Sequence, residues 1–190
     1  MPGSGEGYSL GSEPRVVEER TIFSGKRLSL VIRVVESSGS RFLREVVKFG
    51  EAAAALPILD DGRIVLVKQF RAAIGGWVLE IPAGKVEPGE SPEECIAREL
   101  VEEIGYRARR IEKLASVYTT PGYSNEILHI FIARDLEYVG PKPEKGEFIK
   151  IVTMSPDEVL SSARNNVVDA KTLLAVSLYV VMGRMGRAEG

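Results

Sequence analysis

Glu99, Glu102 and Glu103 fall in one five-residue stretch, next to Arg98 and interleaved with the apolar residues Ile96, Leu100 and Ile104. Apolar residues four apart mark a helix, and positions three and four apart on a helix share a face. The spacing therefore sets Glu99 and Glu103 one turn apart with Glu102 beside them, on a side expected to face solvent, while Ile96, Leu100 and Ile104 pack inward. Like charges so placed repel by about 0.2–0.5 kcal/mol per pair. A divalent cation reverses that sign, because carboxylate oxygens are the ligands a hard ion such as Mg²⁺ takes. Arg98 can neutralise and orient the cluster from its edge. The chain offers one cysteine, Cys95, and one histidine, His129, too few for a zinc site of the Cys/His type. Any metal must then be held mainly by oxygen, which favours Mg²⁺, Mn²⁺ or Ca²⁺.

The elements that must position these groups can be read outward from the helix. Ser91 is its N-cap, Pro92 its first residue, and Glu94 closes a capping box; Gly105 stops it, giving a helix over 92–104. A glycine-rich loop, 83–90, precedes it. Upstream, alternating apolar residues over 27–49 around Ser37-Ser38-Gly39-Ser40 predict an antiparallel hairpin. The runs 51–59 and 63–70 flank Asp60-Asp61-Gly62 and predict a second hairpin. Strands are expected at 112–119, 127–134 and 147–153, a short helix after Ser155-Pro156-Asp157-Glu158, and a last apolar helix over 170–182. Leu173, Leu174, Val176, Leu178 and Val180 there are core or interface. This order predicts an α/β (α+β) chain, a mixed β-sheet sandwiched between helices, rather than repeated βαβ winding. Residues 1–14, with four Gly, three Ser and two Pro, read as a flexible leader.

Composition narrows the functions. The 190 residues carry 25 basic and 27 acidic side chains, a net charge of −2, which leaves no footprint for general nucleic-acid binding. No apolar run approaches the roughly 20 residues of a membrane span, and the N-terminus lacks a signal-peptide pattern, so no membrane partner and a cytoplasmic location are expected. Trp77, next to Gly75-Gly76, reads as core packing ahead of stacking on a base, Cys95 as a packing or surface thiol, and His129, in an alternating apolar run, as a satisfied sheet residue.

Gly84, Glu90, Arg98, Glu99, Leu100, Glu102, Glu103 and Gly105 also fall in register with the pattern G-x5-E-x7-R-E-U-x-E-E-x-G-U, where U is bulky and apolar. The segment thus resembles the Nudix box, with Tyr106 in the last apolar slot as the one departure. Val67-Lys68-Gln69-Phe70-Arg71, Leu79-Glu80-Ile81-Pro82-Ala83-Gly84 and Pro121-Gly122-Tyr123-Ser124-Asn125-Glu126 are similar to signatures of the ADP-ribose pyrophosphatase subfamily. The resemblance covers about 40–182. It implies a Nudix fold with an N-terminal antiparallel β-hairpin region at 15–50 and a hydrolase domain at 51–183. It further implies Mg²⁺-dependent cleavage (Mn²⁺ as the alternative) of ADP-ribose to AMP and ribose 5-phosphate, and strand exchange in a homodimer. By the same resemblance Glu99, Glu103 and the Ala83 carbonyl would hold metal, with Glu102 close by in the catalytic set and Glu90 holding the loop to the helix. Arg71 would contact the phosphates, Arg44 and Glu45 the adenosine from the partner subunit, and Glu126 the terminal ribose. In the loop 143–148, Glu147 would lie near the metal and Glu144 would be the base, with Glu147 as the alternative base. Another nucleoside diphosphate sugar is the neighbouring substrate class. A non-catalytic nucleotide sensor is the reading from a different class, and intact box glutamates argue against it.

Overall fold

The computed structural model describes residues 12–142, 146, 148–164 and 166–188; Glu144 and Glu147 lie outside them, as does most of the expected leader. The chain divides into two compact units, Met1–Phe49 with Tyr118–Glu126, and Gly50–Val117 with Ile127–Gly190.

The first unit carries an antiparallel sheet of β1 (Arg15–Ser24), β2 (Ser29–Ser37) and β3 (Ser40–Lys48) in the order β1-β2-β3. The expected hairpin is β2–β3, turning at Ser38 and Gly39, both at positive φ. A third strand, β1, joins it, although its polar run shows no strict alternation, and every residue in it is exposed. The segment Tyr118–Glu126 belongs to the same unit. Val47 N–H donates to the Tyr123 carbonyl, Asn125 N–H to the Val47 carbonyl, and Phe49 N–H to Asn125 Oδ1.

In the second unit β4 (Glu51–Pro57), β7 (Ala83–Lys85), β8 (Tyr106–Tyr118) and β9 (Ile127–Tyr138) form a mixed sheet ordered β7-β4-β9-β8. Strands β5 (Ile64–Arg71), β6 (Gly76–Glu80) and β10 (Ile149–Met154) form another, ordered β10-β5-β6. The hairpin expected across Asp60-Asp61-Gly62 is thus a tight turn between two sheets, with one bridge, Ile58 to Ile64, at its base. The reason lies in β4 itself. Ala52 through Pro57 are buried on both faces, and β4 pairs parallel with β9. Such continuous apolar runs suit a covered inner strand better than a half-exposed hairpin arm.

Three helices pack on these sheets: α1 (Pro92–Ile104), α2 (Pro156–Ser162) and α3 (Ala170–Ala188). Helix α1 lies on β4, β5 and β7, and α3 contacts β4 and β6. Cys95, Ile96, Leu100 and Ile104 of α1 form one core with Ala53, Ala55, Val65, Val67 and Phe131. Each fully buried aliphatic side chain contributes about 1.5–3 kcal/mol. No helix among the described residues is long and apolar enough to cross a membrane.

Both capping boxes form: Ser91 with Glu94 opens α1, and Ser155 with Glu158 opens α2. Gly105 ends α1 at φ +72°, and a Cβ there would sit 2.4 Å from the Pro141 nitrogen. The close approach follows from the capping of the helix end. The Val139 and Gly140 N–H groups donate to the Gly105 carbonyl, and Lys142 N–H donates to the Glu102 carbonyl.

Gly105→Ala should lower stability by more than the ~1–3 kcal/mol of a left-handed alanine, because its methyl group also meets backbone. Gly89→Ala, at φ +87° in open space, should cost only the conformational part. Urea denaturation of the two variants separates these contributions, and equal losses would contradict the packing at Gly105.

Candidate active site

The acidic stripe is built on α1 and the strand that precedes it. Residues 84–105 contain seven glutamates against Lys85 and Arg98, so most of this segment's charge is negative. Arg98 sits among them. Its guanidinium donates to Glu90 (3.0 Å from Nε), to Glu99 (2.8 Å from Nη1) and to Glu102 (2.9 Å from Nη1). Hydrogen bonding to Glu90 above all raises the pKa of Arg98, and the same bond holds the Glu90 carboxyl below its ordinary value. Glu90 thereby ties the loop to the helix, as the resemblance implied. Its second tie is the Glu87 N–H, 3.1 Å from Oε2.

Glu103 departs from the solvent-facing position expected of it. Only 4% of it is exposed, and Oε2 accepts the Ala83 N–H at 3.1 Å. The helical period places it correctly on the polar stripe, but strand β7 folds back against that stripe and covers it. Glu99 is nested against the same strand. A Cβ on Gly84 would stand 1.8 Å from Glu99 Oε1, so only glycine admits the carboxylate at this place. Cys95 lies beneath, its thiol pushed up to about 12 by burial first and then by Glu90 and Glu99, which makes it inert packing.

Ala83, Glu99, Glu102 and Glu103 are thus brought together at one strand–helix junction. Among the described residues no three acidic, histidine or cysteine side chains converge on a single point; their charges lean on Arg98 instead. By chemistry the set still fits a hard divalent ion. Every donor is oxygen, Glu99 and Glu103 rise from one helix a turn apart, and Gly84 leaves the space a side chain would fill.

Arg71 ends β5 and forms a bidentate pair with Glu80 on β6, at 2.7 and 2.8 Å. Glu80 is 3% exposed, and Lys171 of α3 reaches the same carboxylate. Burial would raise the Glu80 pKa, but hydrogen bonds and charge from Arg71 and Lys171 outweigh it and hold the carboxyl ionised. Lys171 also meets Asp169 at 3.1 Å, and Asp169 caps α3 by accepting the Thr172 N–H and hydroxyl. The Thr172 hydroxyl in turn accepts the Ile81 N–H at 2.8 Å. Two successive points on the strand exit, Glu80 and Ile81, are therefore pinned from α3. Sequence reasoning missed this network. Its available signals were the glutamate in Leu79-Glu80-Ile81-Pro82 and the Asp169 cap.

The remaining expected substrate residues lie in the first unit. Arg44 and Glu45 are exposed neighbours on β3, so strand alternation sends them to opposite faces of its sheet. Arg44 stacks 5.7 Å from the Phe42 ring centroid. Glu126 accepts the Thr119 hydroxyl at 2.6 Å inside its own loop. His129 is satisfied as expected, by Ser116 at 2.8 Å and Glu51 at 3.1 Å. Trp77 is not core: it is 43% exposed, edge-on to Phe70 and beneath Lys150.

The NUDIX domain matches residues 48–176. The chain belongs to the Nudix family. Nudix relatives include an ADP-ribose pyrophosphatase of Bacillus subtilis (strain 168), 39% identical over 86% of this chain and 91% of its own. A methanol dehydrogenase activator of Bacillus methanolicus is 34% identical over the same shares. A solved structure of an ADP compounds hydrolase superposes with a TM-score of 0.79, at 24% identity, over 93% of this chain and 97% of that one, which shows the Nudix fold.

Arg98→Met should destabilise the protein at pH 7, because Glu90, Glu99 and Glu102 lose their shared partner. The lowered Glu90 pKa stabilises the fold above the ordinary glutamate value, near 4.3, and that stabilisation disappears as pH falls through the lower folded value. The gap in melting temperature between wild type and variant should therefore shrink from pH 7 to pH 3. A gap that stayed constant would contradict the ion-pair assignment.

Proposed function

We propose that this Nudix protein hydrolyses the diphosphate bridge of ADP-ribose, giving AMP and ribose 5-phosphate, with Mg²⁺ as its ion and Mn²⁺ as a substitute. The observation that carries the reading is the glutamate stripe of α1 closed by Gly84 and bridged by Arg98, in a chain 39% identical to an ADP-ribose pyrophosphatase. Glu99, Glu103 and the Ala83 carbonyl would hold the ion. When bound there, a divalent cation supplies charge neutralisation at the diphosphate and a more acidic attacking water.

The chain's own residues do the rest. Arg98 holds Glu99 and Glu102 along one helix face, and the Ala83 N–H fixes the Glu103 carboxylate. Arg71, half-exposed and anchored by its Nε/Nη2 edge, has Nη1 outside that pair to meet a phosphate oxygen. Glu144 takes the proton of the attacking water, with Glu147 near the ion. The described flanks of their loop are each bonded to the second unit. Lys142 N–H is held by the Glu102 carbonyl, and the Phe148 carbonyl by Phe70 N–H, beside Arg71. Arg44 and Glu45 serve the adenosine from the partner subunit, and Glu126 the terminal ribose. The apolar residues exposed on the first unit's sheet, including Phe23, Phe42 and Leu43, suit the homodimer, with 15–50 as the exchanging region and 51–183 as the hydrolase domain. A cytoplasmic setting completes the reading.

Glu103→Gln should fold normally, since an amide oxygen still accepts the Ala83 N–H, yet lose about two orders of magnitude or more in kcat. Activity assays with product identification test this. EDTA should stop release of AMP and Mg²⁺ should restore it. Turnover that persists in EDTA, or a variant of wild-type activity at limiting Mg²⁺, would reject the reading.

A further inference from the structure

Arg71 faces two demands that conflict. Its guanidinium is committed along one edge to Glu80, a carboxylate buried to 3% exposure, and a guanidinium neutralised by a buried anion attracts a phosphate weakly. The structure supplies a second cation to that carboxylate. Lys171, its side chain 15% exposed, reaches Glu80 Oε2, the oxygen that also accepts from Arg71 Nη2, so Glu80 is shared by two positive charges. Asp169 draws on the same ammonium at 3.1 Å, and Thr172 locks Asp169 in place. The four groups Arg71, Glu80, Lys171 and Asp169 together are neutral, and removing the lysine leaves an excess negative charge in the network that holds the guanidinium.

We propose that Lys171 is a positioning residue for diphosphate binding: by sharing Glu80 from within the fold, it keeps the outward edge of Arg71 effectively cationic. The inference rests on the reading that Arg71 contacts substrate phosphate, and goes beyond it by assigning Lys171 and Asp169 opposite influences on that contact. Lys171 itself touches no substrate. Its effect should appear in ground-state binding, because its own bonds go to Glu80 and Asp169.

The experiment measures kcat, KM for ADP-ribose and the Mg²⁺ concentration for half-activity in Lys171→Met, Lys171→Arg, Asp169→Asn and Arg71→Ala. Lys171→Met should raise KM about tenfold with kcat within about threefold, and leave the Mg²⁺ dependence unchanged. Lys171→Arg should restore KM. Asp169→Asn keeps the helix cap but removes the competing charge, so KM should fall, a direction that mere loosening of the fold does not produce. Should Lys171→Met fail to fold, the Asp169→Asn and Lys171→Arg results still decide the matter. An unchanged KM in Lys171→Met, a rise in KM in Asp169→Asn, or failure of Lys171→Arg to restore binding would overturn the proposal. If Arg71→Ala itself leaves KM unchanged, the phosphate reading falls; if it raises KM while Lys171→Met does not, only the role of Lys171 falls.

Discussion

Carboxylates crowded on one helical stripe repel, and this chain must hold that repulsion in check before the stripe can serve any ligand. Arg98 is the answer within α1, bonding Glu90, Glu99 and Glu102 at once. Five guanidinium protons in a rigid fork suit one cation to three carboxylates. The arrangement also explains the loop before the helix. Glu90 closes it onto Arg98, Gly84 yields space to Glu99, and Ala83 gives its N–H to Glu103. A strand, a loop and a helix are thus made mutually dependent through charge, while Ile96, Leu100 and Ile104 secure the opposite side of the same helix by burial.

The second tier of the site follows the same logic in a less solvated place. Glu80 is deeper than any carboxylate of the stripe that Arg98 bonds, and one cation would leave little charge to spare, so α3 contributes another. Bonds from Asp169 and Thr172 make the start of α3 part of the wall behind the strand exit. Breaking one partner of such a buried pair is costly because the other charge remains desolvated. A helix late in the chain is thereby bonded to the strand exit at Glu80 and Ile81.

Local chemistry made α1 legible: Ser91, Pro92, Glu94 and Gly105 mark its ends, and both bounds follow from them. The box residues were equally legible because a helix fixes their mutual placement. What depends on distant chain was not. The Asp61-Gly62 turn suggested a hairpin, yet β4 sits between β7 and β9, a choice made by burial on both faces. Glu103 kept its place on the stripe but is covered by backbone that only tertiary packing brings over it. Arg44 and Glu45 are adjacent in sequence, and a strand separates adjacent side chains by the thickness of the sheet. The Lys171–Glu80 pair joins residues 91 positions apart, with no periodic signal to announce it.

The central claim is that the α1 stripe gathers a divalent cation at its junction with β7. Anomalous diffraction from crystals soaked in Mn²⁺ at a concentration that supports turnover tests it directly. The account predicts a manganese peak bounded by the Glu99 and Glu103 carboxylates and the Ala83 carbonyl. A peak bounded by other residues, or no peak at that concentration, would contradict it.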